Sequence, residues 1–272
     1  QIDHYLSTTA TRAQIIIVRL LGGRGHWSYG LQQLQIWKDK VSSRKLIILA
    51  GTPDEFNELH SLSSINIDIV EKFARLLING GKENIRTFLD NIFILLTNRK
   101  INSFDIPIIQ IDDPYKWDWI EDDSHSKKVG LIYYKSIYLS SDLTLPLYIN
   151  KRLREKNLSP RVIFVSSLRD SNLIDSIINI FSQQELELII TTTSFTSGRS
   201  ETFHKNIFEY LNIPIVQFII SSDSYKNWES SSRGLASLDL SMQIVLPEID
   251  GRITTKPCAF KEHKSVNNDL ET

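Results

Sequence analysis

The second half of the chain alternates short β-branched or aromatic runs with helical stretches. The apolar runs lie at Val129–Tyr134, Val162–Val165, Leu188–Thr191 and Ile215–Ile219. Between the second and third runs, apolar residues recur at helical spacing over Asp170–Gln183. Strands that alternate with helices form parallel sheets that are covered on both faces and joined by right-handed crossovers. The pattern therefore predicts a doubly wound, flavodoxin-like parallel sheet.

The first half carries two further strand patterns, Ile15–Val18 and Leu46–Ala50. A third short strand is expected over Ile106–Ile111, at a sheet edge because it contains Pro107. Helices are predicted over residues 28–40, 53–60, 67–78 and 82–95. The fold class is thus α/β with two α/β lobes, of which the second is the doubly wound flavodoxin-like sheet.

The polar stretch Asp112–Lys128 is the best candidate for a linker between the lobes. We place the N-terminal lobe, with its glycine-rich loop and helical segment, at residues 1–125 and the flavodoxin-like domain at residues 126–272. Trp117 and Trp119 are unusual in a linker. They are expected to pack on a neighbouring domain, or alternatively to form a flat wall for a macrocyclic ligand.

A glycine-rich loop over Leu20–Tyr29 joins the first predicted strand to a helix. This arrangement offers backbone N–H groups to an anion, although the loop lacks both the Walker ending and the dinucleotide spacing. It is either a tight turn or a loop that faces a ligand. In the second case Arg24 can bind a carboxylate, and His26 can bind a metal or carry a proton near neutral pH.

Near the end of the chain, the stretch Gln243–Ile253 contains an apolar run that reaches Pro247. Two carboxylates, Glu248 and Asp250, follow the proline. Side chains two apart on an extended segment point the same way, so the carboxylates would converge on one cation or proton. Arg252 would lie on that face and lower the pKa of both carboxyl groups. The alternative is a strand end followed by a solvated, charged turn.

Hydroxyl groups follow the predicted strands of the second half, at Ser136, 166–167, 192–194 and 221–222. Ligands of open α/β sheets bind beyond the carboxyl ends of the strands. These hydroxyls would hold carboxylate or amide groups of a ligand, or they serve only as turn residues.

The bulk composition narrows the choice of partners. The formal net charge is −1, so no basic excess favours nucleic acid or an anionic membrane surface.

A single cysteine, Cys258, excludes an internal disulfide and suits a reducing compartment. No apolar run approaches the roughly 20 residues of a membrane helix. Because the chain opens with Gln1 and holds its single methionine at Met242, we expect an internal piece of a longer polypeptide.

Several motifs resemble one enzyme family, the large subunits of cobaltochelatase and magnesium chelatase. The matching stretches are Leu20–Leu31, Val129–Tyr134, Arg233–Leu235, Asp239–Gln243 and Leu246–Ile253. They follow the family's order from about Leu20 to Lys261. The sequence Asp-Gly-Arg-Ile at Asp250–Ile253 is more similar to the cobalt branch, since the magnesium branch tends to lack that arginine.

The resemblance implies ATP-dependent insertion of cobalt into hydrogenobyrinic acid a,c-diamide, a step of cobalamin biosynthesis in the cytoplasm. ATP and its Mg²⁺ would be bound by an AAA-type ATPase subunit and a companion subunit. The alternatives are a magnesium chelatase H subunit that acts on protoporphyrin IX, and a non-catalytic ligand-binding or scaffold domain.

The chemistry of metal insertion suggests roles that the resemblance does not itself fix. His26, Glu248 and Asp250 are the candidates for catalysis and for binding the metal. Arg24, Tyr29 and Arg252 are the candidates for binding the substrate. These assignments require the glycine-rich loop and the acidic stretch to meet across a cleft between the two lobes.

Overall fold

The protein contains one parallel and one mostly parallel β-sheet, as a computed structural model shows for residues 1–97, 99, 101–102, 105–120 and 126–262. Each sheet belongs to its own compact unit. The first unit comprises Gln1–Ile111 and the second Asp112–Thr272. Among the described residues, no helix combines the length and the apolar character needed to cross a membrane.

The first unit is built on two parallel strands, β1 (Ile15–Leu20) and β2 (Lys45–Ala50), paired from Ile15–Lys45 to Leu20–Ala50. The core contains all of β2 except Lys45, together with one side of each long helix. The helices are α1 (Ile2–Ser7), α2 (Ser28–Asp39), α3 (Phe56–His60), α4 (Ile67–Asn79) and α5 (Lys82–Leu96). The predicted strands and helices of residues 15–96 are therefore confirmed within a few residues.

The strand expected over Ile106–Ile111 does not form, so that prediction was wrong. Pro107 has no N–H group to donate to a sheet. The side chain of Asn84 takes the place of a neighbouring strand: its Nδ2 donates to Ile109 O at 2.8 Å, and its Oδ1 accepts from Ile109 N at 2.9 Å. An amide side chain thus satisfies backbone that would otherwise need a strand partner.

The end of β2 is fixed by a buried histidine. His60 is 2% exposed, its Nε2 accepts from Ala50 N at 3.2 Å, and its ring stacks on Phe56 at 4.4 Å. Burial lowers the pKa of His60, against a smaller opposing effect of Glu71. A protonated imidazole cannot accept the hydrogen bond of Ala50, so the fold requires the neutral form.

This histidine makes stability depend on pH. Because its folded pKa lies below the unfolded value of about 6.5, the unfolded state binds more protons as the pH falls through that value. We expect the urea midpoint to fall between pH 7 and pH 5, and to fall less steeply in His60→Asn. The exposed His4→Asn variant is the control and should keep the wild-type slope. Equal slopes in all three proteins would contradict a neutral, buried His60.

The second unit contains one six-stranded sheet. Its strands are β3 (Tyr115–Trp117), β4 (Lys127–Tyr134), β5 (Leu158–Val165), β6 (Leu186–Thr191), β7 (Ile215–Ser221) and β8 (Ile253–Phe260). They lie in the order β3-β5-β4-β6-β7-β8, with β3 antiparallel to β5 and every other pair parallel. Without β3 the order is 2-1-3-4-5, which is the flavodoxin-like arrangement.

Helices cover both faces of this sheet, as the alternating pattern predicted. They are α6 (Lys135–Leu139), α7 (Thr144–Arg154), α8 (Ser171–Ser182), α9 (Ile207–Leu211), α10 (Tyr225–Ser230), α11 (Ser237–Leu240) and α12 (Leu246–Glu248). Alternate residues of β4 enter two different cores: Leu131 and Tyr133 pack on the α7 side, and Ile132 packs on the α8 side.

Within the stretch predicted as a linker, Tyr115–Trp117 forms β3, and Lys127 and Lys128 begin β4 of the second sheet. Trp117 lies in β3 and packs edge-on against Phe164, with ring centroids 5.7 Å apart. Trp119 Nε1 donates to Val162 O at 2.6 Å. Both tryptophans belong to the second compact unit, Asp112–Thr272. The domain boundary between residues 125 and 126 stays a prediction. His125 also belongs to this polar stretch, where the sequence favours a solvated side chain over a ligand, and it lies outside the described residues.

Candidate ligand-binding site

A cavity of about 880 Å³ opens at the carboxyl edge of the second sheet. It lies where β4 and β6 are neighbours, which is the switch point of the 2-1-3-4-5 order and the usual position of a ligand in such sheets. Its volume falls within the range of small-molecule sites, roughly 300–1,000 Å³. The lining residues are Tyr134, Ser136, Ile137, Asp142, Thr144, Leu145, Tyr148, Thr192, Ser194, Ile220, Gln243, Ala259, Phe260, Lys261 and Glu262.

Hydroxyl groups at the strand ends contribute to this cavity. Ser136, Thr192 and Ser194, all predicted from the sequence as strand-end hydroxyls, line it. Thr192 is only 4% exposed, and its Oγ1 has no hydrogen-bond partner among the described residues. Tyr134 Oη donates to Ser194 O at 3.1 Å, and burial raises the pKa of Tyr134. The part of the wall formed by these four residues is therefore polar but uncharged.

A π-helical turn, Ser241–Val245, supports the cavity from the side of β7. Its residue Gln243 lines the cavity and bonds both backbone groups of Ile220, accepting from the N–H at 2.8 Å and donating to the O at 2.6 Å. Asp239, in α11, accepts from Ser222 N at 2.7 Å and from Gln243 Nε2 at 3.1 Å. These two side chains fix the end of β7, and π-turns of this kind are frequent at functional sites.

Beside the cavity wall lies a buried ion pair. Arg252 Nη2 lies 2.8 Å from Asp250 Oδ2, and the side chains are 0% and 4% exposed. The guanidinium also donates to Thr193 O at 2.8 Å and to Phe195 O at 2.9 Å, on either side of Ser194. Asp250 Oδ2 in turn accepts from Ser197 N at 2.8 Å. The pair thus fixes the loop that follows β6.

Burial also shifts the pKa of this arginine. Desolvation lowers the pKa of Arg252, while the charge and hydrogen bond of Asp250 raise it. The guanidinium packs over the ring of Phe208, 4.7 Å from its centroid, and bonds Gln217 Oε1 at 2.9 Å. Direct contact between Arg252 and a substrate would require the side chain to leave these bonds.

The acidic stretch differs from its predicted conformation. Leu246–Glu248 is a helical turn with Pro247 in its first positions, and Gly251, at φ +73°, ends the turn by bonding Glu248 O at 2.9 Å. The prediction of an extended segment was therefore wrong, and with it the reason for expecting Glu248 and Asp250 to point the same way. Glu248 is exposed and accepts from Thr254 Oγ1 at 3.2 Å.

The glycine-rich loop of the first unit forms a tight turn with exposed polar side chains. Gly22 adopts φ +92°, and a Cβ there would lie 2.8 Å from Nδ1 of His26. Arg24 and Tyr29 line a separate cavity of about 540 Å³. Tyr29 Oη donates to Asp3 at 2.9 Å, and this hydrogen bond raises the pKa of Tyr29. Arg24 and His26 are both exposed.

The predicted site residues thus fall into two groups. Arg24, His26 and Tyr29 belong to the first unit, and Glu248, Asp250 and Arg252 belong to the second. Within the described residues, no group of three or more His, Cys, Asp or Glu side chains could hold a metal ion. The proposed partnership of His26 with Glu248 stays a prediction.

The sequence and fold of the chain are similar to those of known proteins. The family model described as CobN/Magnesium Chelatase matches residues 74–272 of the chain. The chain belongs to this family. The resemblance seen in its motifs is therefore confirmed.

Two curated relatives in this family are named aerobic cobaltochelatase subunit CobN. The proteins from Pseudomonas aeruginosa and Sinorhizobium sp are each 26% identical to the chain over 96% of its length. The chain spans about a fifth of each relative, 21% and 22% respectively.

A solved structure gives the same architecture. The chain matches the catalytic subunit of cobaltochelatase from Mycobacterium tuberculosis with a TM-score of 0.70 and 20% identity. The match covers 96% of the chain and 22% of that protein. This likeness confirms the mixed α/β fold.

Tyr134 and Gln243 are among the lining residues that sequence reasoning missed. Both lie inside stretches that resemble the family, but their types gave no chemical reason to select them. Position was the available signal: Tyr134 ends β4, and ligands bind beyond strand ends. Gln243 had no comparable signal, because its contacts with Ile220 are distant in sequence.

The buried ion pair gives a stability prediction. Arg252→Met leaves Asp250 buried without its partner, which typically costs about 3–5 kcal/mol. Arg252→Met/Asp250→Asn removes that uncompensated charge, so we expect it to recover part of the loss. Urea unfolding measures both variants, with the exposed Arg233→Met as the control. A loss no larger for Arg252→Met than for Arg233→Met would refute the role given to the pair.

Proposed function

We propose that the chain is part of the large subunit of a tetrapyrrole metal chelatase, which inserts cobalt into hydrogenobyrinic acid a,c-diamide during cobalamin biosynthesis in the cytoplasm. The observation that carries the proposal is the cavity of about 880 Å³ at the switch point, in a member of the CobN/magnesium chelatase family. The names of the two curated relatives support cobalt rather than magnesium as the metal substrate.

The cavity has the composition that a flat macrocycle requires. Tyr148 and Phe260 offer aromatic surface, and Ile137 and Leu145 add aliphatic surface. Such side chains pack against a planar conjugated ring, while a few polar groups orient it. In this proposal the second unit binds the macrocycle beyond the ends of β4 and β6.

Energy for the reaction is proposed to come from partner subunits. The glycine-rich loop lacks the Gly-Lys-Ser/Thr ending of a Walker loop, so ATP and its Mg²⁺ are assigned to an AAA-type ATPase subunit and a companion subunit. The large subunit then has three tasks: to hold the macrocycle, to accept its inner N–H protons, and to receive partly dehydrated Co²⁺.

The predicted site residues are assigned to these tasks as follows. His26 or Glu248 accepts a proton, since both are exposed and need no rearrangement to reach a substrate. His26 and Glu248, which are exposed, are proposed as weak nitrogen and oxygen ligands that deliver cobalt. Asp250, predicted for the same role, would first have to leave its bonds with Arg252 and Ser197 N. Arg24 and Tyr29 bind acidic side groups of the macrocycle. Arg252, a predicted substrate-binding residue, acts through the loop that it holds.

Titration with two macrocycles tests the proposal. We expect the chain to bind hydrogenobyrinic acid a,c-diamide at least about tenfold more tightly than protoporphyrin IX, measured by absorbance, a difference of about 1.4 kcal/mol in binding free energy. Tighter binding of the porphyrin would instead place the chain in the magnesium branch. If neither macrocycle binds, the chain is a scaffold or an incomplete site, and the proposal fails.

The role of Glu248 is tested in the full-length subunit with its ATPase partners. Glu248→Gln should lower the rate of cobalt insertion by about 10²–10⁴-fold, the usual contribution of a positioned acid or base. The dissociation constant of the corrin should stay within about twofold, because an amide of the same size replaces the carboxylate. Glu187→Gln, in the exposed part of β6, is the control. Unchanged insertion by Glu248→Gln would remove this residue from the mechanism.

A further inference from the structure

The strand β1 has one paired edge and one outer edge. Among the described residues β1 pairs only with β2, so the two form a two-stranded sheet. The C=O of Leu20 accepts from Gly51 N at 2.8 Å, which places the backbone groups of Leu20 on the side of β2. Along a strand these groups point alternately to one side and the other. The N–H and C=O groups of Ile15, Ile17 and Arg19 therefore point away from β2.

These outward backbone groups have no partner within the described part of the chain. Arg19 is exposed, and Ile15 and Ile17 are half-buried, so the core does not enclose this edge. Backbone N–H and C=O groups need a partner, either water or another strand. Parallel sheets usually contain more strands than two, because independent stability requires a wider sheet. The first sheet thus has room for a further strand beside β1.

The opposite edge of the same sheet is closed by side chains. Three side chains accept from alternate N–H groups of β2, where a neighbouring strand would otherwise lie. The pairs are Leu46 N with Ser64 Oγ at 2.8 Å, Ile48 N with Ser63 Oγ at 2.8 Å, and Ala50 N with His60 Nε2 at 3.2 Å. The fold therefore satisfies the outer edge of β2 by itself and leaves the outer edge of β1 unsatisfied.

The sequence of β1 offers little protection against pairing. Proline residues, charges and bulges commonly protect the edge strand of a sheet. The strand reads Ile-Ile-Ile-Val-Arg-Leu, its one charge lies near its end, and its register with β2 is unbroken. In contrast, β8 contains Pro257 and shifts register twice against β7. Because β-branched residues favour the extended conformation, the outer edge of β1 is suited to bind another strand.

We propose that the outer edge of β1 pairs with an extended, apolar strand from a part of the large subunit that lies outside this chain. The chain spans only 21% and 22% of its two curated relatives, so most of such a subunit lies elsewhere. A strand of the same polypeptide is present at a high effective concentration, which favours it over a second copy of the chain. The added strand bonds the backbone of Ile15, Ile17 and Arg19, as in other cases of strand addition.

This inference rests on the proposed function only in treating the chain as part of a larger subunit. It assigns no role to the cavity of the second unit and none to a macrocycle. Its failure would therefore leave the proposed chelatase activity standing. Failure of the macrocycles to bind would in turn leave the pairing of β1 to be decided by its own measurements.

Hydrogen exchange of single amides, in the chain and in the full-length subunit, tests the pairing. In the chain alone, the outward amides of Ile17 and Arg19 should exchange at least about 100-fold faster than the inward amide of Val18. In the full-length subunit we expect the two outward amides to slow by at least about 100-fold. Slow exchange in the chain alone, or fast exchange in the full-length subunit, would overturn the inference.

A pair of variants at Arg19 separates the backbone from the side chain. Arg19→Pro removes the outward N–H, and Arg19→Ala removes the same side chain but keeps that N–H. In the full-length subunit the amide of Ile17 should exchange at least about tenfold faster in Arg19→Pro than in Arg19→Ala, the effect of about one lost hydrogen bond. In the chain alone the two variants should exchange alike at this amide. Equal exchange in the full-length variants would contradict the proposed strand.

Two further measurements complete the test. Val18→Pro removes an inward N–H that faces β2, so it should lower the melting temperature of the chain and of the full-length subunit alike. Sedimentation of the chain over a range of concentrations examines a second copy as the partner. A monomer is expected. A dimer that Arg19→Pro abolishes and Arg19→Ala preserves would show that β1 pairs with another copy, and would overturn the choice of partner.

Discussion

The buried pair of Arg252 and Asp250 determines the shape of the carboxyl edge of the second sheet. Two charges removed from water are stable only when their geometry is good and their remaining hydrogen-bonding groups are used. Here the arginine bonds the backbone on both sides of Ser194, and the aspartate bonds Ser197 N. The loop after β6 is therefore held by side chains from a stretch more than fifty residues later, as the separation of Ser197 and Asp250 shows.

This arrangement separates two kinds of polar chemistry. The large cavity of the second unit presents hydroxyls and aromatic rings, with charges only at its rim. The exposed charged groups Arg24 and His26 lie on the glycine-rich loop of the first unit, and Glu248 lies on the helical turn before Gly251. The proposed function would use both kinds, because an apolar ring must be bound while protons and a hydrated cation are exchanged.

Much of the fold follows from local sequence. Strands such as β5 and β7 are apolar runs bounded by turn residues, and the helix α8 carries a continuous apolar stripe, so their existence and parallel order could be predicted. The short strand β3 could not, because Tyr115–Trp117 lies in a polar stretch and owes its pairing to the distant β5. The missing strand at Ile106–Ile111 has the same origin: the contact with Asn84 is a tertiary one.

The candidate site was predictable only in part. The hydroxyls at the ends of β4 and β6 were expected near a ligand because parallel strands end at one edge. The conformation of Glu248 and Asp250 was not, since Pro247 suits the first turn of a helix as well as it ends a strand. The burial of Arg252 depends on Thr193, Phe195 and Gln217, which no spacing near the arginine indicates.

The short antiparallel strand β3 also covers part of one edge of the second sheet, by pairing with Val162–Phe164. It occupies the side of β5 that would otherwise offer free N–H and C=O groups along a buried strand. At the opposite edge, β8 contains Pro257, which cannot donate, and its pairing with β7 shifts register twice. Both edge strands of the sheet are therefore poor templates for β-pairing with another chain. The carboxyl ends of the strands can stay open to ligands without adding an edge for such pairing.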